Sequence, residues 1–189
     1  MVVMLKVLDV ILSLSILLIS APIWPVVLFI GWLELGSPMY FQERVGQNKK
    51  PFTLIKFRSM PVGTQSIATH LNNSTVISAF GKFLRRSKLD EIPQLINVLK
   101  GEMSLVGPRP GLFSQLELIQ ARSEKGVYSV KPGITGLAQI KGIDMSQPNK
   151  LSEVDAKMIN EMNVKVYLKI LALTFLGKGR GDVTEKNNS

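Results

Sequence analysis

The chain contains no cysteine. That excludes disulfides, thiolate nucleophiles and cysteine metal sites, and it fits a reducing compartment. Histidine is almost missing as well: His70 stands alone in a polar stretch from Thr64 to Thr75. One histidine builds neither a histidine-rich metal centre nor a serine–histidine–acid triad elsewhere in the chain, and in that setting it reads as a solvated loop residue. The same stretch holds overlapping sequons in Asn72-Asn73-Ser74-Thr75, which mean nothing in a cytosolic segment. A third absence is local. Val10 to Leu33 contains no charged residue.

That uncharged run explains a mean hydropathy of +0.20 over 189 residues, high for a water-soluble protein. The charge lies elsewhere. The net charge is +9, and residues 1–35 hold only Lys6, Asp9 and Glu34, so the remainder carries +10. A basic body joined to an apolar segment points to an anionic partner: lipid headgroups, phosphates or nucleic acid.

The apolar segment exceeds the ~20 residues that cross a bilayer. It is too long, and too rich in proline at its centre, for a simple cleaved signal peptide. Pro22 and Pro25 predict a kink or break there, because each lacks an amide hydrogen and crowds the preceding turn. Arg44, Lys49, Lys50, Lys56 and Arg58 follow the segment and favour a cytoplasmic carboxyl side; Lys6 and the α-amino group favour the same side for the other end. Both ends inside would require a re-entrant helix. An ordinary kinked spanning helix is the alternative, and proline tolerance in spanning helices alone slightly favours it.

Beyond the segment, Met39–Val45 and Phe52–Phe57 read as strands joined by the turn residues Gly46-Gln47-Asn48-Lys49. Val76 to Arg86 reads as a short helix, and a second helix is predicted from Asp90 to a stop at Gly101. Met103–Val106 is short and apolar, Leu112–Ser123 reads as helical, and Lys131-Pro132-Gly133 opens a glycine-rich loop. Leu151–Leu176 suits one or two amphipathic helices. There is no internal repeat. The expected fold is α+β and mostly helical: an anchor over 1–36, a catalytic domain over 37–176 with a β-hairpin, and a disordered tail over 177–189.

Four stretches carry candidate chemistry. In Arg85-Arg86-Ser87-Lys88-Leu89-Asp90-Glu91-Ile92-Pro93-Gln94, adjacent carboxylates sit at a predicted helix start behind a cluster of cations. The bland reading is a helix start with acids where the dipole favours them. The sharper one is a phosphoryl-transfer site, with Asp90 as nucleophile, Glu91 helping Asp90 hold Mg²⁺, and arginines on the phosphates. Gly107-Pro108-Arg109-Pro110 fixes the backbone around one arginine, ready to grip a phosphate or simply a rigid turn. Lys56-Phe57-Arg58-Ser59-Met60 is a basic strand end. Lys131-Pro132-Gly133-Ile134-Thr135-Gly136-Leu137-Ala138-Gln139 has glycines that allow close approach to a ligand, though such glycines often only turn the chain. Gly177-Lys178-Gly179-Arg180-Gly181 is no phosphate loop, since it follows a helix and lacks the lysine–hydroxyl pair.

These motifs, in this order together with Asn97-Val98-Leu99-Lys100-Gly101-Glu102-Met103-Ser104, resemble the bacterial sugar transferase family, the small monotopic phosphoglycosyl transferases, over roughly residues 5 to 140. The resemblance implies a two-step mechanism. Asp90 attacks the β-phosphate of a UDP-sugar, UMP leaves, and polyprenyl phosphate takes the phosphosugar from the enzyme. Glu91 supports Mg²⁺; Lys56, Arg58, Arg85 and Arg109 are the phosphate-side cations; Pro132, Gly133, Thr135, Gly136 and Gln139 form the ligand loop. The family's re-entrant helix breaks at a Ser-Pro pair, here Ala21-Pro22 preceded by Ser20, with Pro25 as a second break. The implied setting is the cytoplasmic face of a bacterial inner membrane, with anionic inner-leaflet lipids, downstream glycosyltransferases and room for a homodimer as partners, and no nucleic acid. Two departures stand out: Ile140-Lys141-Gly142-Ile143 replaces Val-Asn-Gly-Arg, and Ala156-Lys157-Met158 replaces the Tyr-Tyr region after Asp155. A non-catalytic tethered module binding anionic lipid or nucleic acid would explain the charge and the anchor, but not an acidic pair inside the basic cluster. A hydrolase of lipid-linked phosphates is the enzymatic rival.

Overall fold

A computed structural model describes residues 2–63 and 77–177. His70, the sequons, Val76 and the tail from residue 178 onward lie outside the described residues. The described chain is mostly helical with two small sheets.

The apolar segment forms helices α1 (Val2–Ser20) and α2 (Trp24–Leu35). Between them lies one tight turn, Ala21–Ile23, whose flanking residues keep right-handed helical angles. The interruption is narrow because Pro22 and Pro25 fall at the starts of the turn and of α2, where a missing N–H costs least. Ser20 ties the two sides of the break together: its hydroxyl donates to Leu17 O at 3.2 Å and accepts from Trp24 Nε1 at 3.3 Å.

Both helices pack on one body. Leu5, Leu8, Leu12, Ile16 and Leu17 of α1 meet a core that includes Leu95, Val98 and Ile170. Asp9, the one acid of α1 and 7% exposed, accepts on Oδ1 from Leu105 N at 2.8 Å, Ser104 Oγ at 3.1 Å and Tyr167 Oη at 2.6 Å. Val27 of α2 is buried with Phe57 and Leu84, and Trp24 stands edge-on to Phe57 at 5.0 Å. The opposite faces stay open: Val3, Ile11, Leu18, Phe29 and Trp32 are all more than half exposed.

Strands β1 (Met39–Val45) and β2 (Pro51–Phe57) form the expected antiparallel hairpin, with Tyr40 opposite Lys56 and Arg44 opposite Phe52. The free edge of β2 docks on helix α4 (Gln94–Leu99) through buried Asn97, which accepts from Ile55 N at 3.1 Å and donates to Thr53 O at 2.8 Å. Helix α3 (Ala79–Ser87) begins at a Ser78 cap, Oγ to Gly81 N at 3.0 Å. A Cβ on Gly81 would collide with the Ser59 carbonyl oxygen, so glycine is what lets α3 lie against the end of β2.

Two expectations change. The glycine-rich stretch after Pro132 is partly a strand: β3 (Ser104–Val106) pairs in parallel with β4 (Gly133–Thr135). Helix α5 (Leu116–Glu124) starts four residues later than the apolar pattern suggests, since Leu112 N bonds back to Gln115 Oε1 at 2.8 Å and closes a turn first. The short helix α6 (Leu137–Ile140) leads to α7 (Pro148–Asn160) and α8 (Val164–Phe175), two helices as the amphipathic pattern allows. Asn163 caps α8, its Oδ1 accepting from Val166 N at 3.0 Å.

Candidate active site

Side chains alternate along a strand, so Lys56 lies on the hairpin face of buried Phe52 and Leu54 and points inward. Arg85 comes from the last turn of α3, its Nε donating to Ser59 Oγ at 2.9 Å. Lys88 then adopts φ 58°, and the chain folds into the tight turn Leu89–Glu91. The sequence pattern predicts a helix from Asp90; the α-helix instead begins at Gln94, after Pro93. The left-handed Lys88 is the reason, because it reverses the chain and forces a tighter turn before α-geometry resumes. Asp90 is thereby turned into the body rather than left on an open helix end, and only 7% of it is exposed.

Around Asp90 the fold gathers Glu91, Lys56, Arg85 and Arg109, all close enough to act on its charge. Burial pushes the Asp90 carboxyl up to about 6, and neighbouring Glu91 pushes the same way against the three cations. Burial pulls the Lys56 ammonium down to about 8; Asp90 opposes that shift, while Arg109, Arg44 and Arg85 add to it. Glu91 is paired with Arg109 at 3.2 Å. Near neutral pH the site holds an ionised, desolvated carboxylate facing cations. That arrangement suits attack on an electrophile whose surrounding oxygens are anionic.

Arg58 is not among the charges that act on Asp90, but it shares an aromatic neighbour with Lys56. Its Cζ stands 5.3 Å from the Tyr40 ring centroid, with Lys56 Nζ 5.2 Å from the same ring. The five residues of the expected ligand loop make contacts within the fold. Pro132 O accepts from Ser104 N at 2.9 Å, Thr135 Oγ1 meets Thr174 Oγ1 at 2.7 Å, and Gln139 Nε2 donates to Ile134 O at 3.0 Å. Added Cβ atoms on Gly133 and Gly136 would strike the backbone of Gly107. Those glycines admit the backbone at the end of β3, a packing role that the sequence expectation of a ligand loop or a plain turn does not include.

Arg44, which the sequence marks only as a charge flanking the apolar segment, acts on Lys56 and donates to Pro110 O at 3.2 Å. Its signal was the hairpin register: it sits four residues along β1 from Tyr40, the partner of Lys56, and so on the same face. Arg122 carried no local signal at all. It is buried within α5 and paired with buried Asp155 of α7 at 2.7 Å.

Two adjacent carboxylates could hold a divalent cation. Among the described residues no group of three or more histidine or acidic side chains converges, and a dyad alone fits Mg²⁺, which keeps waters and substrate phosphates in its other positions.

The model of the family described as bacterial sugar transferase matches residues 2–179, well beyond Gln139 and through both carboxyl-terminal helices. The chain is 42% identical over 143 residues to the uncharacterized sugar transferase EpsL of Bacillus subtilis strain 168, covering 75% of this chain and 70% of that protein. It is 38% identical over 176 residues to the UDP-glucose:undecaprenyl-phosphate glucose-1-phosphate transferase of Escherichia coli strain K12, covering 88% of this chain and 38% of that one. It is 37% identical over 152 residues to the undecaprenyl-phosphate galactose phosphotransferase of Salmonella typhimurium strain LT2, covering 71% and 32%. The chain thus spans about a third of the length of the latter two relatives, 38% and 32%. A match across almost its whole length shows that this chain belongs to the bacterial sugar transferase family.

Proposed function

We propose that the chain transfers a sugar-1-phosphate from a UDP-sugar to polyprenyl phosphate, as an early membrane step in building a bacterial surface glycan. The observation that carries the reading is Asp90: a buried carboxylate held among Lys56, Arg85 and Arg109 with its pKa raised to about 6. The names of the relatives, two of which act on undecaprenyl phosphate, support the same chemistry.

An Asp90 carboxylate oxygen attacks the β-phosphorus; the bond from that phosphorus to the bridging oxygen breaks, and UMP leaves with the electron pair. The phosphosugar remains on Asp90 as an acyl phosphate. An oxygen of polyprenyl phosphate then attacks the same phosphorus, Asp90 leaves as carboxylate, and polyprenyl diphosphate sugar is formed. Arg85, Arg109 and Lys56 offset the phosphate charge, and Arg109 reaches the diphosphate by exchanging its contact with Glu91. Asp90 and Glu91 are the residues that would hold Mg²⁺, which supplies charge neutralisation at the phosphates when bound. Low dielectric around Asp90 strengthens each of these attractions.

The apolar segment enters this reading as a re-entrant anchor on the cytoplasmic face. Val3–Leu35 is long and apolar enough to cross a membrane. However, Asp9 near its start and Val27, Gly31 and Leu35 near its end all touch the same globular body. A straight spanning helix would carry α1 away from that body by roughly the 30 Å of a bilayer core. The exposed faces of α1 and α2 suit contact with acyl chains, and surface cations suit anionic headgroups.

A panel of radiolabelled UDP-sugars tests the chemistry, with and without polyprenyl phosphate. Label is expected in a lipid extract only when the acceptor is present, with one UMP released per transfer. Equal sugar-phosphate release without acceptor would establish a hydrolase, and no UMP from any donor would leave a binding module. Single cysteines at Val3 and Lys50 test the topology. Both are expected to resist an impermeant thiol reagent in intact cells; labelling at Val3 alone would establish a spanning helix.

A further inference from the structure

The loop from Gly107 to Gly111 contains two prolines, which have no N–H to donate; Gly107 N donates to Thr135 O at 2.8 Å, and the rest of the loop is fastened through carbonyls. Four successive carbonyls are occupied. Pro108 O accepts from Gly133 N at 2.9 Å, Arg109 O from Arg122 Nη1 at 2.7 Å, Pro110 O from Arg44 Nη1 at 3.2 Å, and Gly111 O from Val45 N at 3.0 Å. The second of these fastens the main chain of Arg109 itself. Arg122 is fixed in turn: its Nε and Nη2 reach Asp155 Oδ2 at 3.1 and 2.7 Å. The two side chains are only 2% and 1% exposed.

A buried ion pair is poor value as a staple, since apolar residues of equal volume often hold a core as well or better. What an apolar pair could not do is donate to the Arg109 carbonyl while being held rigid from behind. Arginine's planar fork does both at once. We propose that Arg122, clamped by Asp155, is a positioning residue for the transfer: it sets the backbone at Arg109 and so aims that guanidinium at the donor's diphosphate. The inference rests on the phosphate role proposed above for Arg109.

A plain staple between α5 and α7 would act independently of Arg109, whereas a positioning residue acts through it. The test is a double-mutant cycle on the full chain in detergent, reading inorganic pyrophosphate affinity by calorimetry. The Arg122→Met/Asp155→Leu pair removes both charges at similar volume, in the native and the Arg109→Ala backgrounds. The expected result is about tenfold weaker pyrophosphate binding in the native background and less than about twofold in the other. Equal weakening in both backgrounds, or none in the native one, overturns the proposal. So does an unchanged affinity on Arg109→Ala alone, whatever the turnover. If the paired variant does not fold, Arg122→Lys takes its place in the same cycle, because lysine cannot satisfy both partners; weaker pyrophosphate binding is expected in the native background and not in the Arg109→Ala one, and equal affinity changes in both, or none in the native one, overturn the proposal. If no UDP-sugar releases UMP while the pyrophosphate cycle behaves as expected, the transferase reading fails and the positioning role stands.

Discussion

Asp90 and Asp155 are both buried, 7% and 1% exposed, yet their surroundings differ in kind. Asp155 is gripped by two nitrogens of one guanidinium, and Arg122 spends its third on a backbone carbonyl. Burial raises both carboxyls, Asp90 to about 6; Asp155 is opposed by its one bonded guanidinium, whereas Asp90 has three cations within electrostatic reach and a second carboxylate, Glu91, that adds to the rise. A buried charge with matched hydrogen bonds is part of the scaffold. One whose neighbours partly cancel keeps a reactive lone pair and responds to any ligand that changes the balance.

The sharpest way to break this contrast is at Asp90. Asp90→Asn is expected to lower UMP release by at least about 10³-fold, as loss of a nucleophile does. It should leave the fold intact and raise Tm at pH 7. The sign follows from the raised pKa: the stability Asp90 contributes is fully present below 3.8 and is lost as pH climbs through about 6. A neutral amide escapes that loss. Near-normal transfer by the variant, read beside its melting curve, would sink the covalent mechanism.

At Asp155 the expected balance is reversed. Asp155→Asn strands a buried guanidinium and should cost roughly 3–5 kcal/mol of stability. Transfer per folded molecule should fall far less than in Asp90→Asn. Urea titration with activity normalised to the folded fraction checks both halves; an unchanged midpoint would show that the pair is not structural.

Arg109→Lys is a finer probe, since it keeps the charge and removes the fork. A loss of roughly 1–3 kcal/mol in transition-state stabilisation is expected. Equal kcat/KM in variant and wild type would reduce the loop to a turn.

The smallest effect is the pH profile. Transfer should rise as Asp90 ionises through about 6 and fall as Lys56 loses its proton above about 8. Lys56→Arg stays charged and should remove the alkaline limb while leaving the acid one. A profile in which both limbs survive that substitution would assign the alkaline limb to another group.

Local pattern was enough to read several parts of this protein. Turn residues between two short runs marked the hairpin, expected over Met39–Val45 and Phe52–Phe57, and length with apolar content marked Leu151–Leu176 as one or two amphipathic helices, of which the structure has two. The Asp90-Glu91 dyad and Arg109 were recognisable because their neighbours in sequence, cations and prolines, are part of the signal. Periodicity could not separate a helix from the tight turn at Leu89–Glu91, where the left-handed angle of Lys88 decides the outcome. Nor does local pattern show that Gly133 and Gly136 make room for the backbone at Gly107, because a glycine serves a turn, a ligand or a close chain equally well.

By itself, then, the sequence determined the kinds of element, the apolar segment and the residue types available for phosphate chemistry, all of which depend on neighbours a few residues apart. Only the tertiary structure decided which polar groups would lose water together. It brought Asp9 to Leu105 and Tyr167, Arg44 to Pro110, and Arg122 to Asp155 and the carbonyl of Arg109. Those partners are distant along the chain or on different elements. A charge acquires a fixed role only when burial removes water and a particular partner replaces it, and that exchange takes place between elements rather than within them.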